Sequence, residues 1–251
     1  MYRFLFLEKK DGITTIVLNR PERYNALNTE LCKEITTAIE KSGEEKDTKV
    51  IRIKGMGKGF CAGLDLFSVD PKEFARAGNI VTDLFNPIIL SIKNNPKPVI
   101  AQVSGAAAGA GCSLALACDM VYASEEALFT LPFLKIALLP DSGASYLLVK
   151  QVGYKKAFEI FSGNKNLTAR EAEAFGLVNK VLPAELVEQA CMDHCIQLAQ
   201  QSSELLGNLK SLLQAAETQP LQDILNLEAY YQDQAAARPA FMEAIQQFNK
   251  K

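Results

Sequence analysis

The amino-acid sequence predicts an α/β core followed by an all-helical C-terminal region. Short apolar, strand-like runs alternate with segments of helical periodicity over the first part of the chain. Such alternation is typical of α/β folds. From residue 184 nearly to the end the pattern is helical throughout, so about a quarter of the chain forms a separate helical region. We therefore divide the protein into a core at residues 1–183 and a helical region at residues 184–251.

A third observation is a small-residue turn in the middle of the core, within residues 99–119. A strand at 99–103 is followed by the small residues 106–111 and then by an apolar helix that ends near Cys118. Small residues let a ligand approach the backbone, and the first N–H groups of a helix lack partners within it. The turn is therefore suited to stabilising a developing oxyanion. Close packing of a helix on a sheet would produce the same pattern.

The remaining elements follow in chain order. The sequence predicts strands at residues 4–8, 13–18, 50–54, 120–123, 128–130 and 178–182. Asn28 or Thr29 caps the first predicted helix, and a second helix covers 80–93. An apolar connection at 132–140 leads to a helix opened by Asp141-Ser142-Gly143, and another helix follows Gly153. Thr168 and Glu171 form a capping box.

Composition and charge restrict the class of protein. The 251 residues are 48% hydrophobic, enough for a large core. The net charge of −2 is spread over interspersed acidic and basic residues, so neither a nucleic-acid nor a membrane partner is expected. We expect no signal peptide and no membrane span. Six cysteines without regular spacing suit a reducing compartment, so we expect a cytoplasmic enzyme.

Four segments in order carry a family resemblance. They read R-P-E-R-Y-N-A-L at 20–27, F-C-A-G-L-D-L at 60–66, G-A-A-A-G-A-G-C-S-L at 105–114 and T-A-R-E-A-E-A-F-G-L-V at 168–178. With these segments the chain resembles the crotonase, or enoyl-CoA hydratase/isomerase, superfamily. The resemblance is greatest to the Δ3,Δ2-enoyl-CoA isomerase and ring 1,2-epoxyphenylacetyl-CoA isomerase branches. It implies a spiral of ββα units, a helical C-terminal trimerisation region, acyl-CoA thioester substrates and a place in fatty-acid metabolism such as β-oxidation.

The resemblance also implies positions for the oxyanion hole and for substrate binding. The two donors would be the backbone N–H groups of Leu64 and Ala110, and alanine is acceptable at 110 because the donor is backbone. Arg23 would bind the CoA phosphates. An equally good interpretation is that Arg23 is a charged loop residue that contacts only solvent. The resemblance implies further substrate-binding positions around the adenine, pantetheine and acyl chain: Ala62, Gly63, Asp65, Leu66, Gly109 and Phe133.

The acid–base groups distinguish between branches of the family. Hydratases of the family hold water with two glutamates, and the matching positions here are Ser113 and Phe133. The isomerase branches carry one carboxylate in the segment that here contains Asp141. We expect burial among Phe133 and the apolar residues 136, 138 and 139 to raise the pKa of Asp141. An aspartate before a helix is also an ordinary N-cap, so that alternative stays open.

The resulting expectation is an enoyl-CoA isomerase that moves a double bond by proton transfer through Asp141. The alternatives are a ring 1,2-epoxyphenylacetyl-CoA isomerase, an enoyl-CoA hydratase and a non-catalytic acyl-CoA-binding protein. No cofactor is expected, because coenzyme A is part of the substrate. No metal is expected either: Cys191, His194 and Cys195 lack a second ligand pair and are read as a helix face. The apolar helical region predicts a homotrimer or a hexamer.

Overall fold

The structure is a computed structural model that describes residues 2–69 and 76–248. The chain forms two compact units, Met1–Gln200 and Gln201–Lys251. The expected boundary after residue 183 falls after Gln200 instead, because the helix at Ala184–Ala199 packs on the main sheet. The last three residues of the expected helical region, and residues 70–75 of the expected core, lie outside the described residues.

A six-stranded sheet forms the centre of the first unit. Its strands are β1 (Leu5–Lys10), β2 (Ile13–Leu18), β3 (Val50–Gly55), β4 (Val99–Val103), β6 (Met120–Ser124) and β9 (Lys180–Leu182), paired in that order. β1 is antiparallel to β2 and the other pairs are parallel. All residues of β2 and β4 are buried, as the apolar runs of strands covered on both faces predict.

A smaller sheet of three strands lies beside the first. It consists of β5 (Ala106–Ala108), β7 (Leu128–Thr130) and β8 (Asn166–Thr168), with β5 parallel and β8 antiparallel to β7. Only β7 was predicted as a strand. The other two are three-residue segments without strand propensity of their own, and they become strands by pairing with β7.

Helices cover both faces of the main sheet. On one face α1 (Thr29–Glu44) and α4 (Ala110–Ala117) contact the sheet, with α3 (Asn86–Lys93) packed on both of them and α5 (Ala144–Ser162) packed on α4. On the other face packs α7 (Ala184–Ala199). The short helices are α2 (Ala77–Ile80) and α6 (Ala169–Ala174). The second unit consists of α8 (Ser203–Ala216), α9 (Leu221–Ala236) and α10 (Pro239–Phe248). Within the described ranges, no helix is long and apolar enough to cross a membrane.

Local signals correctly placed several helix ends. Asn28 caps α1 by accepting from the Leu31 N–H, and Thr168 and Glu171 form the expected capping box of α6. Gly153, at φ +76°, separates the two helical halves of α5 as predicted. The helix predicted at 80–93 is present as one run of helical backbone made of α2, a π turn at Val81–Phe85 and α3. Pro87 is consistent with the π turn before it, because proline has no N–H to continue the α-helical hydrogen bonds.

Candidate active site

A narrow apolar cleft, packed so closely that a water molecule does not fit in it, brings the main predicted site segments together. It lies where the N-terminus of α4 meets α3 and the segment before α5. The lining residues are Leu27, Phe85, Ile88, Ile89, Ala110, Leu114 and Ser142. The cleft therefore has an apolar wall, the first residue of a helix on one side and the chain neighbour of Asp141 on the other.

Ala110 is placed by the short strand β5 and the turn that follows it. Gly109 donates its N–H to the Thr130 carbonyl and adopts φ +52°, a conformation that glycine takes without strain. Ala110 is then the first residue of α4, where the N–H has no intrahelical acceptor. Gly111 is equally constrained, because a Cβ there would stand 2.3 Å from the Cys61 carbonyl oxygen.

Leu64 is brought to the same place by Gly63. Gly63 has φ +80°, and a Cβ on it would lie 2.6 Å from the Ala108 carbonyl oxygen and 3.4 Å from the Ala110 nitrogen. Leu27 bridges to Leu64 as a parallel partner, and its N–H donates to the Gly63 carbonyl. Among the described residues, the Leu64 N–H makes no hydrogen bond. The loop thus presents one unused amide beside the unused amide of Ala110.

A buried ion pair holds this loop. Nη2 of Arg20 lies 2.8 Å from Oδ2 of Asp65, and both side chains are less than a tenth exposed. Arg20 also donates to the Ala26 carbonyl oxygen. The Asp65 N–H donates to the Leu27 carbonyl. The carboxylate and the N–H of Asp65 are thus both used within the fold, and the substrate-binding role expected for Asp65 stays a prediction.

Asn25 is a second structural residue that the sequence analysis missed. It is fully buried at φ +56°, its side-chain oxygen accepts from the Arg20 N–H, and its amide donates to the carbonyls of Met56 and Gly59. It thereby ties the loop before α1 to the loop after β3. The segment R-P-E-R-Y-N-A-L carried no signal for this role, because it is rich in charged residues and the buried partners of the Asn25 amide come from the distant loop after β3.

Asp141 is half-buried and does not cap α5. The N-cap is Gly143, at φ +73°, and no side chain caps this end of the helix. The Asp141 carbonyl, rather than its carboxylate, accepts the Ala144 N–H. The N-cap alternative for the Asp141 side chain is therefore wrong. Burial raises the pKa of Asp141 above its usual range, and a 2.7 Å hydrogen bond donated by the Ser142 hydroxyl to Oδ1 lowers it.

Of the residues expected to bury Asp141, the three at 136, 138 and 139 in the preceding connection lie on the surface. Ile136, Leu138 and Leu139 are 50%, 40% and 76% exposed. They lie on the surface because the connection before Asp141 forms a single 3₁₀ turn, Leu134–Ile136, that projects away from the core. Phe133 is buried as expected, and its ring lies 6.4 Å from that of Phe161.

The two positions that carry glutamates in hydratases offer no acid or base here. Ser113 is fully buried in α4, and its hydroxyl lies 3.4 Å from the Gly109 carbonyl oxygen, one turn back along the chain. Phe133 presents only an aromatic ring. Asp141 is therefore the carboxylate that the described residues place next to the cleft through Ser142.

The predicted CoA-binding residues lie on the surface near the Leu64 loop. Arg23 and Leu66 are exposed, and the Arg23 guanidinium lies 5.8 Å from the ring centroid of the exposed Phe67. The Ala62 N–H donates to the Tyr24 carbonyl and is not free for a ligand. Of the predicted set, Arg23, Ala62 and Leu66 are exposed, and Gly63 and Gly109 act by shaping the backbone.

The Cys191, His194 and Cys195 helix face carries no metal site. Across the part of the chain that the structure describes, no cluster of three or more metal-ligating side chains occurs. The His194 ring lies 5.7 Å from that of Tyr122, and both cysteines are buried against the sheet. All six cysteines are free thiols.

Comparisons with known proteins show the family to which the chain is similar. The profile of the family described as "Enoyl-CoA hydratase/isomerase" matches residues 8–251. A 1,2-epoxyphenylacetyl-CoA isomerase of Escherichia coli (strain K12) is 34% identical over all of this chain and 97% of its own length. A probable enoyl-CoA hydratase of Rhodobacter capsulatus is 33% identical over all of this chain and 96% of its own.

A solved structure shares the fold over nearly the whole chain. The putative enoyl-CoA hydratase/isomerase from Mycobacterium abscessus superposes with a TM-score of 0.93 at 28% identity, covering 98% of this chain and 96% of its own. The crotonase-like fold predicted from the four sequence segments is thereby confirmed.

Proposed function

Because the chain belongs to the enoyl-CoA hydratase/isomerase family, we propose that it is an isomerase that moves the double bond of an enoyl-CoA thioester by proton transfer through one carboxylate. The observation that carries the proposal is the pairing of Asp141 with the cleft. Its partner Ser142 lines the same cleft as Ala110, while Ser113 and Phe133 supply no second carboxylate.

In the proposed reaction Asp141 takes a proton from the carbon next to the thioester carbonyl. The resulting enolate oxygen accepts hydrogen bonds from the N–H groups of Leu64 and Ala110. Asp141 then returns the proton two carbons further along, which shifts the double bond. A preorganised oxyanion-hole donor of this kind contributes about 2.7–4 kcal/mol to lowering the barrier. One carboxylate suffices because both carbons lie on one face of the bound chain.

The electrostatics of Asp141 suit a group that must both accept and return a proton. Burial raises its pKa, so the protonated intermediate is less costly than for an exposed aspartate. A base whose pKa lies nearer the working pH is the more effective in general acid–base catalysis.

The aromatic branch is the second candidate function. The Escherichia coli relative, a 1,2-epoxyphenylacetyl-CoA isomerase, matches this chain over its full length. A hydratase stands third, because the Rhodobacter capsulatus relative is named a probable enoyl-CoA hydratase. A protein that binds acyl-CoA without turning it over is the fourth.

A turnover screen with 3-enoyl, 2-enoyl and aromatic epoxide CoA thioesters separates these four functions. We expect conversion of the 3-enoyl thioester to its conjugated 2-enoyl isomer. Loss of the enoyl-thioester absorbance with crotonyl-CoA would favour the hydratase, and conversion only of the aromatic thioester would favour the second candidate. Binding of acyl-CoA without turnover of any of the three would contradict an enzyme.

Binding of the CoA portion is proposed for the exposed residues near the Leu64 loop. Arg23 would bind a CoA phosphate. Its guanidinium lies over the ring of Phe67, and the adenine ring would stack on this exposed pair. Neither a metal nor a redox group is needed, because the reaction is a proton transfer within the substrate.

We also propose a homotrimer or hexamer in the cytoplasm, acting in fatty-acid metabolism such as β-oxidation. Helix α8 alone leaves Leu205, Leu209 and Leu213 between 44% and 60% exposed, an apolar surface that assembly would cover. Free, buried thiols are typical of a reducing compartment.

A further inference from the structure

Ser142 is a buried, conformationally strained residue whose only side-chain partner among the described residues is Asp141. It is 2% exposed, and its hydroxyl donates to Oδ1 of Asp141 across 2.7 Å. It also adopts φ +52°, a left-handed conformation that is uncommon for residues other than glycine, asparagine and aspartate. Strained residues of this kind persist where the surrounding structure holds them, and they cluster at active sites.

Ser142 contacts the Asp141 carboxylate and also lines the cleft. Ser142 lines the cleft together with Ala110, which carries one of the two proposed oxyanion donors. Oδ1 of Asp141 accepts a hydrogen bond from Ser142. Among the described residues, no donor bonds to Oδ2 of the same carboxylate. The carboxylate is thereby oriented, with one oxygen anchored and the other available to carry a proton.

We propose that Ser142 is the positioning residue of the catalytic carboxylate: its hydroxyl anchors Oδ1 of Asp141 and keeps that carboxylate able to act as a base. This inference rests on the function proposed above. The bond favours the charged form of Asp141 and so opposes the effect of burial. Without it, the carboxylate would hold its proton to higher pH and would also rotate freely.

No other group in the described structure competes for this role. The cleft residues from α3, α4 and the Leu27 loop are all uncharged. The neighbouring elements do carry charged side chains: Asp83 in the π turn, Lys93 on α3, Lys135 before Asp141 and Lys150 on α5. None of these charges contributes to the pKa shift of Asp141, which arises from burial and from Ser142.

The test compares Ser142→Ala with Ser142→Gly. Both remove the hydroxyl, but glycine also relieves the strain of the left-handed backbone. For both variants we expect the acidic limb of kcat/KM to move to higher pH by about one pH unit. At pH values on the acidic side of the limb, kcat/KM should be about tenfold lower than in the wild type. At pH values well above the limb, it should return toward the wild-type value. Ser91→Ala, which removes a buried hydroxyl bonded to the Ile88 carbonyl, is the matched control with an unshifted limb.

An unshifted limb in both hydroxyl-free variants would overturn the inference, as would an equal loss at every pH or a shift in only one variant. For any variant that turns over too slowly, the ¹³C carboxyl titration of Asp141 reports the same shift without catalysis. Asp141→Asn is measured alongside to separate the two proposals. If it is inactive while the Ser142 variants keep the wild-type limb, only the present inference fails. If it turns over normally, the proposed function fails and this inference with it.

Discussion

Gly63 lies against the N-terminus of α4 so closely that a side chain on it would stand 3.4 Å from the backbone nitrogen of Ala110. A Cβ on Gly63 would also lie 2.6 Å from the Ala108 carbonyl oxygen, so only glycine leaves room for that carbonyl. The spacing between the two proposed oxyanion donors is therefore set by a single glycine. Any side chain at this position has to push the Leu64 amide away from that of Ala110.

Gly63→Ala is expected to lower kcat by about 10²–10³, the loss typical of one misplaced oxyanion donor. Steady-state kinetics with a 3-enoyl-CoA measures the effect. Gly153→Ala is the matched control, because Gly153 has a similar φ of +76° but nothing within 4 Å of its Cβ position. It should lose about 1–2 kcal/mol of stability and keep its turnover. Equal turnover of the two variants would contradict the role of Gly63.

Asp141→Asn should reduce isomerase turnover by about 10²–10⁴ or more, because one group performs both proton transfers. Affinity for acyl-CoA should survive, since Leu64 and Ala110 donate from the backbone. Calorimetric binding and single-turnover kinetics separate the two effects. Asp47→Asn, at an exposed position, is the control. A variant that retains near-full isomerase rate would exclude Asp141 as the base.

The same substitution has a predictable effect on stability as a function of pH. Because the pKa of Asp141 is raised in the folded protein, its contribution to stability is fully present below an unfolded pKa of about 3.9. That contribution is lost as pH rises through the folded pKa. Asp141→Asn should therefore be at least as stable as the wild type at pH 7, with the difference vanishing below about pH 4. Urea unfolding at both pH values measures it, and a clearly less stable variant at pH 7 would contradict the assignment.

Asp65→Asn tests the ion pair behind the Leu64 loop. It leaves Arg20 buried without a counter-charge, which we expect to cost about 3–5 kcal/mol of the free energy of unfolding. Glu125→Gln is the control, because the Arg170–Glu125 pair has an even shorter distance of 2.6 Å but is about half exposed. Removing that surface pair should cost about 0–1 kcal/mol. Similar costs in denaturant titrations of the two variants would show that the Arg20 pair is not a buried anchor.

The proposed assembly depends on the exposed leucines of α8. Light scattering at micromolar concentration should give the mass of a trimer or hexamer, and a monomeric mass would exclude it. Leu209→Glu combined with Leu213→Glu should lower the mass toward that of a monomer while helical content is retained. Ser211→Glu introduces one such negative charge at an exposed position of the same helix and should leave the mass unchanged.

Local sequence signals were reliable wherever the physical cause lay within a few residues. The strands β2 and β4, the Asn28 cap, the Thr168–Glu171 capping box and the break at Gly153 each depend on neighbouring side chains and backbone preference. Motifs likewise pointed to Leu64, Ala110 and Asp141, because their segments are continuous in the chain. The π turn at Val81–Phe85 was missed because the backbone stays helical through it, so the apolar periodicity of the segment shows no interruption.

Other features depend on residues that are distant in the chain. The Arg20–Asp65 pair joins two loops that are far apart in the sequence. The exposure of Leu139 and the end of the first unit at Gln200 depend on tertiary packing. The sequence by itself predicted most of the elements in order, although not β5 and β8, and it pointed to the candidate carboxylate and the two proposed backbone donors. Only the tertiary structure decided that Asp65 is a structural anchor and that Asp141 is no helix cap, because partners and burial are set by contacts between separate segments rather than by local pattern.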